Sequence, residues 1–193
     1  MVASSKSRRR KPSKRDALEW GRETYLRYPR RADRDELVAA RRLSKRLHHP
    51  FVQTATTDDG FDEYLAGAKR GEQRRTLVCR TSDGAIAGFI NFNVISRGAL
   101  QSAYLGYGAY EPYAGTGMMR EGLSLALRFG FKSLGLHRVE ANIQIANERS
   151  VRLVTRAGFR LEGFSPRYLK VNGRWRDHLR FAMLAEEWKS IPR

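Results

Sequence analysis

Apolar positions change period several times along the chain, and each change marks an element. Thr24 to Tyr28 reads as a first strand. Asp33 is placed to cap a helix whose apolar positions Leu37, Val38, Leu43 and Leu47 turn inward before Pro50 stops it. Thr57, with Asp58 and Asp59 in the first turn, opens a second helix carrying Phe61, Tyr64, Leu65 and Ala68 to about Gly71. Three antiparallel strands follow, Arg75 to Thr81, Ala85 to Ile95 and Gln101 to Ala109, the first two joined through Ser82-Asp83-Gly84. Met119, Leu123, Ala126, Leu127, Gly130 and Phe131 then recur at helical spacing. Val139 to Ile145 is the next strand, and the helical crossover before it makes it parallel to its predecessor. Asn147 suits the N-cap of a short helix buried through Val151 and Val154, and Gly158 suits its left-handed C-cap. A last hairpin turns at Asn172-Gly173, with Trp175, Asp177, Leu179, Phe181 and Met183 on one face of its final strand. The order predicts an α+β fold in α/β/α layers: a mixed, mostly antiparallel sheet of about six or seven strands with helices on both faces.

Chemistry concentrates at the strand-to-helix junction Tyr107-Gly-Ala-Tyr-Glu-Pro-Tyr-Ala-Gly-Thr-Gly-Met-Met119. Gly115 and Gly117 let the backbone turn tightly, and the helix after them aims unpaired amides and its positive dipole end at an anion. A pyrophosphate-bearing cofactor is the expected ligand. Met118 and Met119 stand where a nucleotide-triphosphate loop needs Lys and Ser or Thr, and the third glycine of a dinucleotide fingerprint is missing.

Further segments narrow the choice. Leu105-Gly106-Tyr107, Gly115-Thr116-Gly117-Met118-Met119, Leu136-His137-Arg138-Val139-Glu140-Ala141, Asn147-x-x-Ser150, Ala157-Gly158-Phe159 and Leu161-Glu162-Gly163 follow in this order and spacing. Together they resemble the GNAT N-acetyltransferases, and within them the branch that acetylates ribosomal-protein amino termini. The resemblance is densest from Tyr104 to Leu184 and thinner from Tyr25 to Ile95. It implies the acyl-CoA N-acyltransferase fold and acetyl-CoA as cofactor, held by Ala109, Tyr110, Gly115, Thr116, Gly117, Met118, Asn147 and Ser150. Pro112 departs from the Gln or Arg that usually stands three residues before the first glycine, which removes a side-chain contact but leaves the backbone amides.

Composition bounds the rest. At 193 residues the chain suits one domain with an appendage, residues 1–20 as a basic tail and 21–193 as the acetyltransferase domain. Lys6, Arg8, Arg9, Arg10, Lys11, Lys14 and Arg15 supply +7 of the net +17 with no acid among the first fifteen residues. Such a segment is expected to be disordered alone and to meet a polyanion such as ribosomal RNA through counterion release. Arg41, Arg42, Lys45 and Arg46 read most simply as a solvated helix face. The single cysteine, Cys79, and four scattered histidines point to a reducing cytoplasm and no metal, and no apolar run reaches the ~20 residues of a membrane span.

Acetyl transfer from a thioester to an amine needs a neutral nitrogen, placement, donors for the developing oxyanion and a proton for the thiolate. An α-amine of pKa near 8 is already about a tenth neutral at pH 7, whereas a lysine near 10.4 is almost wholly protonated. For an N-terminal acceptor a strong base is dispensable. Glu140 is the base candidate by resemblance, with pairing to Arg138 or His137 as the alternative. Ser150 is the candidate for protonating the thiolate, with a helix-capping hydroxyl as the alternative. Backbone amides near Ala109 and Tyr110 are the expected oxyanion donors; Tyr110 and Tyr113 either line the cleft mouth or pack. Asp177 is either a structural anchor or an acceptor contact. Three functions follow: an N-terminal protein acetyltransferase acting by direct transfer in a ternary complex, a small-amine acetyltransferase, or an inactive scaffold using its tail on nucleic acid.

Overall fold

The computed structural model describes residues 12–52 and 54–191. Residues 1–11, where most of the basic tail falls, lie outside the described residues. From Glu19 the chain is already in the sheet: β1 (Glu19–Trp20) pairs with β2 (Thr24–Arg27), inside the stretch that the sequence assigns to the tail. After a 3-10 turn come α1 (Arg34–Leu43) and α2 (Lys45–His48), broken at Ser44, and then α3 (Asp58–Ala66). Strands β3 (Arg74–Arg80), β4 (Ile86–Ser96) and β5 (Ser102–Ala109) form the expected antiparallel meander. Helix α4 (Met118–Arg128) runs on through a π-helical turn into β6 (Arg138–Gln144), which lies parallel to β5. Helix α5 (Glu148–Arg156), the hairpin β7 (Arg160–Val171) and β8 (Arg174–Leu184), and α6 (Ala185–Ser190) complete the chain. The sheet has eight strands in the order β1-β2-β3-β4-β5-β6-β8-β7. The strand beyond the expected seven is β1, whose two residues are too short to show a period.

Alternation along each strand divides the core in two. Leu26, Val78, Ile90 and Phe92 face α4, α5 and α6 in the larger cluster, while Tyr25, Leu77, Cys79 and Phe89 face α1 and α3 in the smaller one. Helices therefore cover both faces. Two helix expectations change. Leu43 is 65% exposed because, six residues after Leu37 and five after Val38, it falls off their stripe, and Arg41 takes the buried position instead. Asp33 does not cap α1 through its side chain; its carboxylate takes the Arg30 amide at 2.7 Å and a two-pronged pair with buried Arg27 at 2.6 and 2.8 Å.

The feature that makes a site is a split in the sheet. β5 pairs with β6 only from Ser102↔Arg138 to Tyr104↔Glu140. Beyond that point β5 stays on β4 as far as Ala109, and β6 stays on β8 as far as Gln144. Residues 105–109 and 141–144 thus line a widening gap with unpaired ladder groups.

Candidate active site

A cleft of about 1110 Å³ occupies that gap. The β5 register decides what faces it. The Tyr110 amide donates to the Ala87 carbonyl at 2.8 Å, so in an alternating antiparallel ladder Gly108 and Tyr110 turn their amides to β4 while Tyr107 and Ala109 turn theirs into the gap. Of the two expected oxyanion donors, Ala109 lines the cleft and Tyr110 does not. The Tyr110 ring is wholly buried in the smaller cluster, and Tyr113 packs under Arg80 with the guanidinium 5.2 Å from its ring centre.

The glycine turn forms the cofactor end. Gly115 and Gly117 have φ of +80° and +89°, a region that costs other residues strain, and Gly117 is the N-cap of α4. Thr116 secures the loop by donating its hydroxyl to the Tyr113 carbonyl at 2.7 Å. Arg120 and Glu121 donate their amides back to the Gly117 carbonyl at 3.0 and 3.2 Å, so the Met118 and Met119 amides ahead of them are the helix's open donors. Met119 lines the cleft and Met118 does not, so of Met118 only the open amide is offered at the helix end. Arg120, Arg149, Arg152 and Arg156 ring this end against Glu111 and Glu148. Only Arg152 among the four arginines has an ion pair among the described residues, to Glu148 at 2.9 Å. Exposed Pro112 is not part of the wall. A turn with open amides under an excess of guanidinium charge fits a polyphosphate.

Asn147 and Ser150 stand across the gap. Asn147 caps α5 as expected, its Oδ1 accepting the Ser150 amide at 3.2 Å. The Ser150 hydroxyl lies beside Tyr107, whose phenol oxygen is buried without a hydrogen-bond partner. Burial pushes the Tyr107 pKa well up and Ser150 draws it part of the way back, although the two hydroxyls do not meet hydrogen-bond geometry. A buried phenol therefore stands behind the serine where one hydroxyl was expected.

Glu140 is elsewhere. Its side chain is held between Arg138 Nε at 2.7 Å and Arg180 Nη2 at 2.8 Å, one guanidinium on each carboxylate oxygen, and it does not line the cleft. Arg138 continues the network to Glu162, whose carboxyl two arginines hold down at about 2, and Arg160 joins Glu162 to Glu187. The pairing alternative is the one found. Asp177 accepts the Arg167 amide at 2.7 Å across the last hairpin, a structural anchor.

His48 stands in the gap with no sequence pattern to announce it. It is 6% exposed, and its Nε2 donates to the Ala109 carbonyl at 2.7 Å. A carbonyl can only accept, so Nε2 carries the proton and Nδ1, which has no partner among the described residues, holds a lone pair. Burial lowers the pKa from its usual 6.5, the Ala109 carbonyl raises it, and Arg41 lowers it further. Gly108 makes room for this contact: a Cβ there would meet Phe89 at 2.8 Å and His48 Nε2 at 3.2 Å. The only sequence signal was the glycine opposite a histidine sixty residues away, which no spacing rule connects. No group of metal-binding side chains occurs among the described residues.

Residues 23–160 match the acetyltransferase (GNAT) domain family. The chain belongs to that family. It is an acetyl-CoA-dependent GNAT acetyltransferase. It is 35% identical over 122 residues to the probable N-acetyltransferase YjcK of Bacillus subtilis (strain 168), covering 63% of this chain and 67% of that protein. It is 38% identical over 103 residues to the ribosomal protein uS5-alanine N-acetyltransferase of Escherichia coli (strain K12), a match spanning 53% of each. Among solved structures, Mycobacterium smegmatis RimJ in complex with CoA-disulfide superposes with a TM-score of 0.79 at 29% identity, covering 88% of this chain and 84% of that one. No helix among the described residues is long and apolar enough to cross a membrane.

Proposed function

We propose that this GNAT acetyltransferase acetylates the N-terminal α-amine of a protein, with a ribosomal protein as the foremost candidate. The observation that carries the reading is the proton inventory of the gap: a neutral imidazole lies beside Ala109, and the nearest strand carboxylate, Glu140, is committed to two arginines. A site so equipped suits an amine that is already partly neutral at pH 7, which an α-amine is and a lysine or polyamine is not. The activity of the uS5-alanine relative supports the acceptor class.

Acetyl-CoA supplies the activated thioester when bound. The Met118 and Met119 amides, with Gly115 and Gly117, would hold its diphosphate, and Arg120, Arg149 and Arg156 its remaining phosphate charge. The Ala109 amide would donate toward charge developing on the carbonyl oxygen, and Ser150, with Tyr107 beside it, would give the thiolate a proton. Free-thiol release with acetyl-CoA tests the reading, using an Ala-initiated peptide, the same peptide with a blocked terminus, and spermidine. Turnover of spermidine in preference to the free peptide would refute it. The basic tail is proposed as an RNA contact; deleting residues 1–11 should weaken RNA binding and flatten its salt dependence, and an unchanged slope would reject this.

A further inference from the structure

A second cavity, about 280 Å³, lies outside the cleft between α3 and the α1–α3 face of the sheet, with Arg41, Tyr64, Gln73, Arg75, Asn91 and Asn93 in its wall. Arg41 was expected on a solvated face, yet it is 3% exposed. Its guanidinium keeps its charge under all working conditions, and no carboxylate among the described residues pairs with it. Nη1 donates to the Ala55 carbonyl at 3.1 Å, Nε reaches the Tyr110 hydroxyl only at 3.5 Å, and the plane lies 4.4 Å from the Tyr64 ring centre. Nη2 has no partner.

Two of the three amide oxygens in the wall, those of Gln73 and Asn91, are already used. Arg75, 5.1 Å from the same Tyr64 ring centre, donates to the Glu63 carbonyl and to Gln73 Oε1, each at 3.0 Å. Asn91 Oδ1 takes the Tyr64 hydroxyl at 3.0 Å and the Thr76 amide at 3.3 Å. Both amide side chains are thereby oriented, oxygen toward the protein and nitrogen left over. Donors remain where acceptors have been consumed, beside a buried cation without a counter-charge: this is the inventory of an oxyanion site.

We propose that this cavity binds a carboxylate, received by Arg41 Nη2, Asn91 Nδ2 and Gln73 Nε2. Planar guanidinium and amide donors match the two in-plane oxygens of a carboxylate. An ammonium would meet two guanidinium charges and only the exposed Glu63 side chain at the rim as an acceptor of opposite charge. The site is one side chain from the reactive gap, because Phe89 in its wall packs edge-on against His48 at 6.3 Å. Two sources could present the group: an acidic side chain within the first residues of the acceptor peptide, which rests on the acceptor reading above, or a free dicarboxylate, which does not.

The full chain is titrated calorimetrically with succinate at ionic strength fixed by chloride, as wild type, Arg41→Gln and Arg75→Gln. In parallel, thiol release is measured with Ala-initiated peptides carrying Glu or Gln at the third position. Saturable succinate binding that weakens by about tenfold or more in the variants supports the site. A KM for the Glu peptide about tenfold below that of the Gln peptide in wild type, equalised in Arg75→Gln, assigns the group to the acceptor. Succinate binding with indistinguishable peptides assigns it to a free carboxylate. Phosphate binding as tightly as succinate, or no preference for carboxylate in either assay, overturns the proposal. If no peptide is acetylated, the acceptor reading fails while the succinate titration still decides the cavity. Should Arg41→Gln misfold, Arg75→Gln carries the comparison.

Discussion

Replacing Glu140 by Gln separates a base from an ion-pair hub. The carboxylate is 10% exposed at the side chain and bridges Arg138 and Arg180, which are 21% and 29% exposed. Removing one partner of a fully buried pair costs about 3–5 kcal/mol. Here Arg138 retains Glu162, both arginines reach water, and glutamine still offers one oxygen, so a cost of about 2 kcal/mol is the reasoned value. For a chain of this size that lowers the unfolding midpoint by about 4–8 °C. General-base loss would instead lower kcat by about 10²–10⁴-fold. Calorimetry and initial rates on the same preparation, at a temperature well below the variant's midpoint, read both quantities. The geometry predicts a lowered midpoint with kcat within about threefold of wild type, since no step of proton transfer is lost. A hundredfold fall in kcat at an unchanged midpoint would refute the argument and return Glu140 to the reaction.

His48 predicts a pH dependence. Its folded pKa lies below the usual 6.5, so the unfolded chain binds the proton more readily; its contribution to stability is complete above about pH 6.5 and declines as pH falls from there. The difference in midpoint between wild type and His48→Asn should therefore shrink from pH 7.5 to 5, and a difference independent of pH would reject the assignment. Gly117→Ala places a Cβ at φ +89°, at a cost of about 1–2 kcal/mol, and should also abolish the thermal shift produced by acetyl-CoA; a full shift would show that the turn does not hold the cofactor. Initial-rate patterns in both substrates should intersect, as for a ternary complex, and parallel lines would contradict direct transfer.

Much of the fold could be read from the chain because its signals are local. Strand alternation, the Asn147 cap and the left-handed Gly117 and Gly158 each depend on residues within a turn of one another, and β3 to β6 fall within about one residue of their expected ends. Of the cleft wall, Ala109, the Gly115 to Gly117 turn, Asn147 and Ser150 were legible in the sequence. Side-chain roles depended on partners distant in sequence. Pairing of Glu140 with Arg138, two residues away, was open to the sequence, but Arg180 was not, since it reaches the carboxylate through the β6–β8 register. Arg41 looked solvated because its neighbours Arg42 and Lys45 are; its burial is made by Tyr64 and the Ala55 carbonyl, on a later helix and the loop before it. His48 carried no spacing pattern, and its meaning comes from a carbonyl on β5.

The gap opens to both faces of the sheet, and that decides how transfer can proceed. Tyr107 and Ser150 lie on the α4–α5 side with the cofactor turn, whereas His48 approaches Ala109 from the α1–α2 side, packed on Phe89 and Tyr110. On the proposed reading, a donor entering from one face and an acceptor from the other would meet at Ala109 without displacing each other. A covalent relay would need a nucleophile in the gap with an activating base. Cys79 is no such group: it is wholly buried in the smaller cluster, and burial pushes its thiol up to about 12. Among the described residues Ser150 has no base bonded to it, and the free nitrogen of His48 belongs to the opposite face. Two-sided access and the lack of an activated nucleophile together favour direct attack by the amine, with the Ala109 backbone as the fixed point for both substrates.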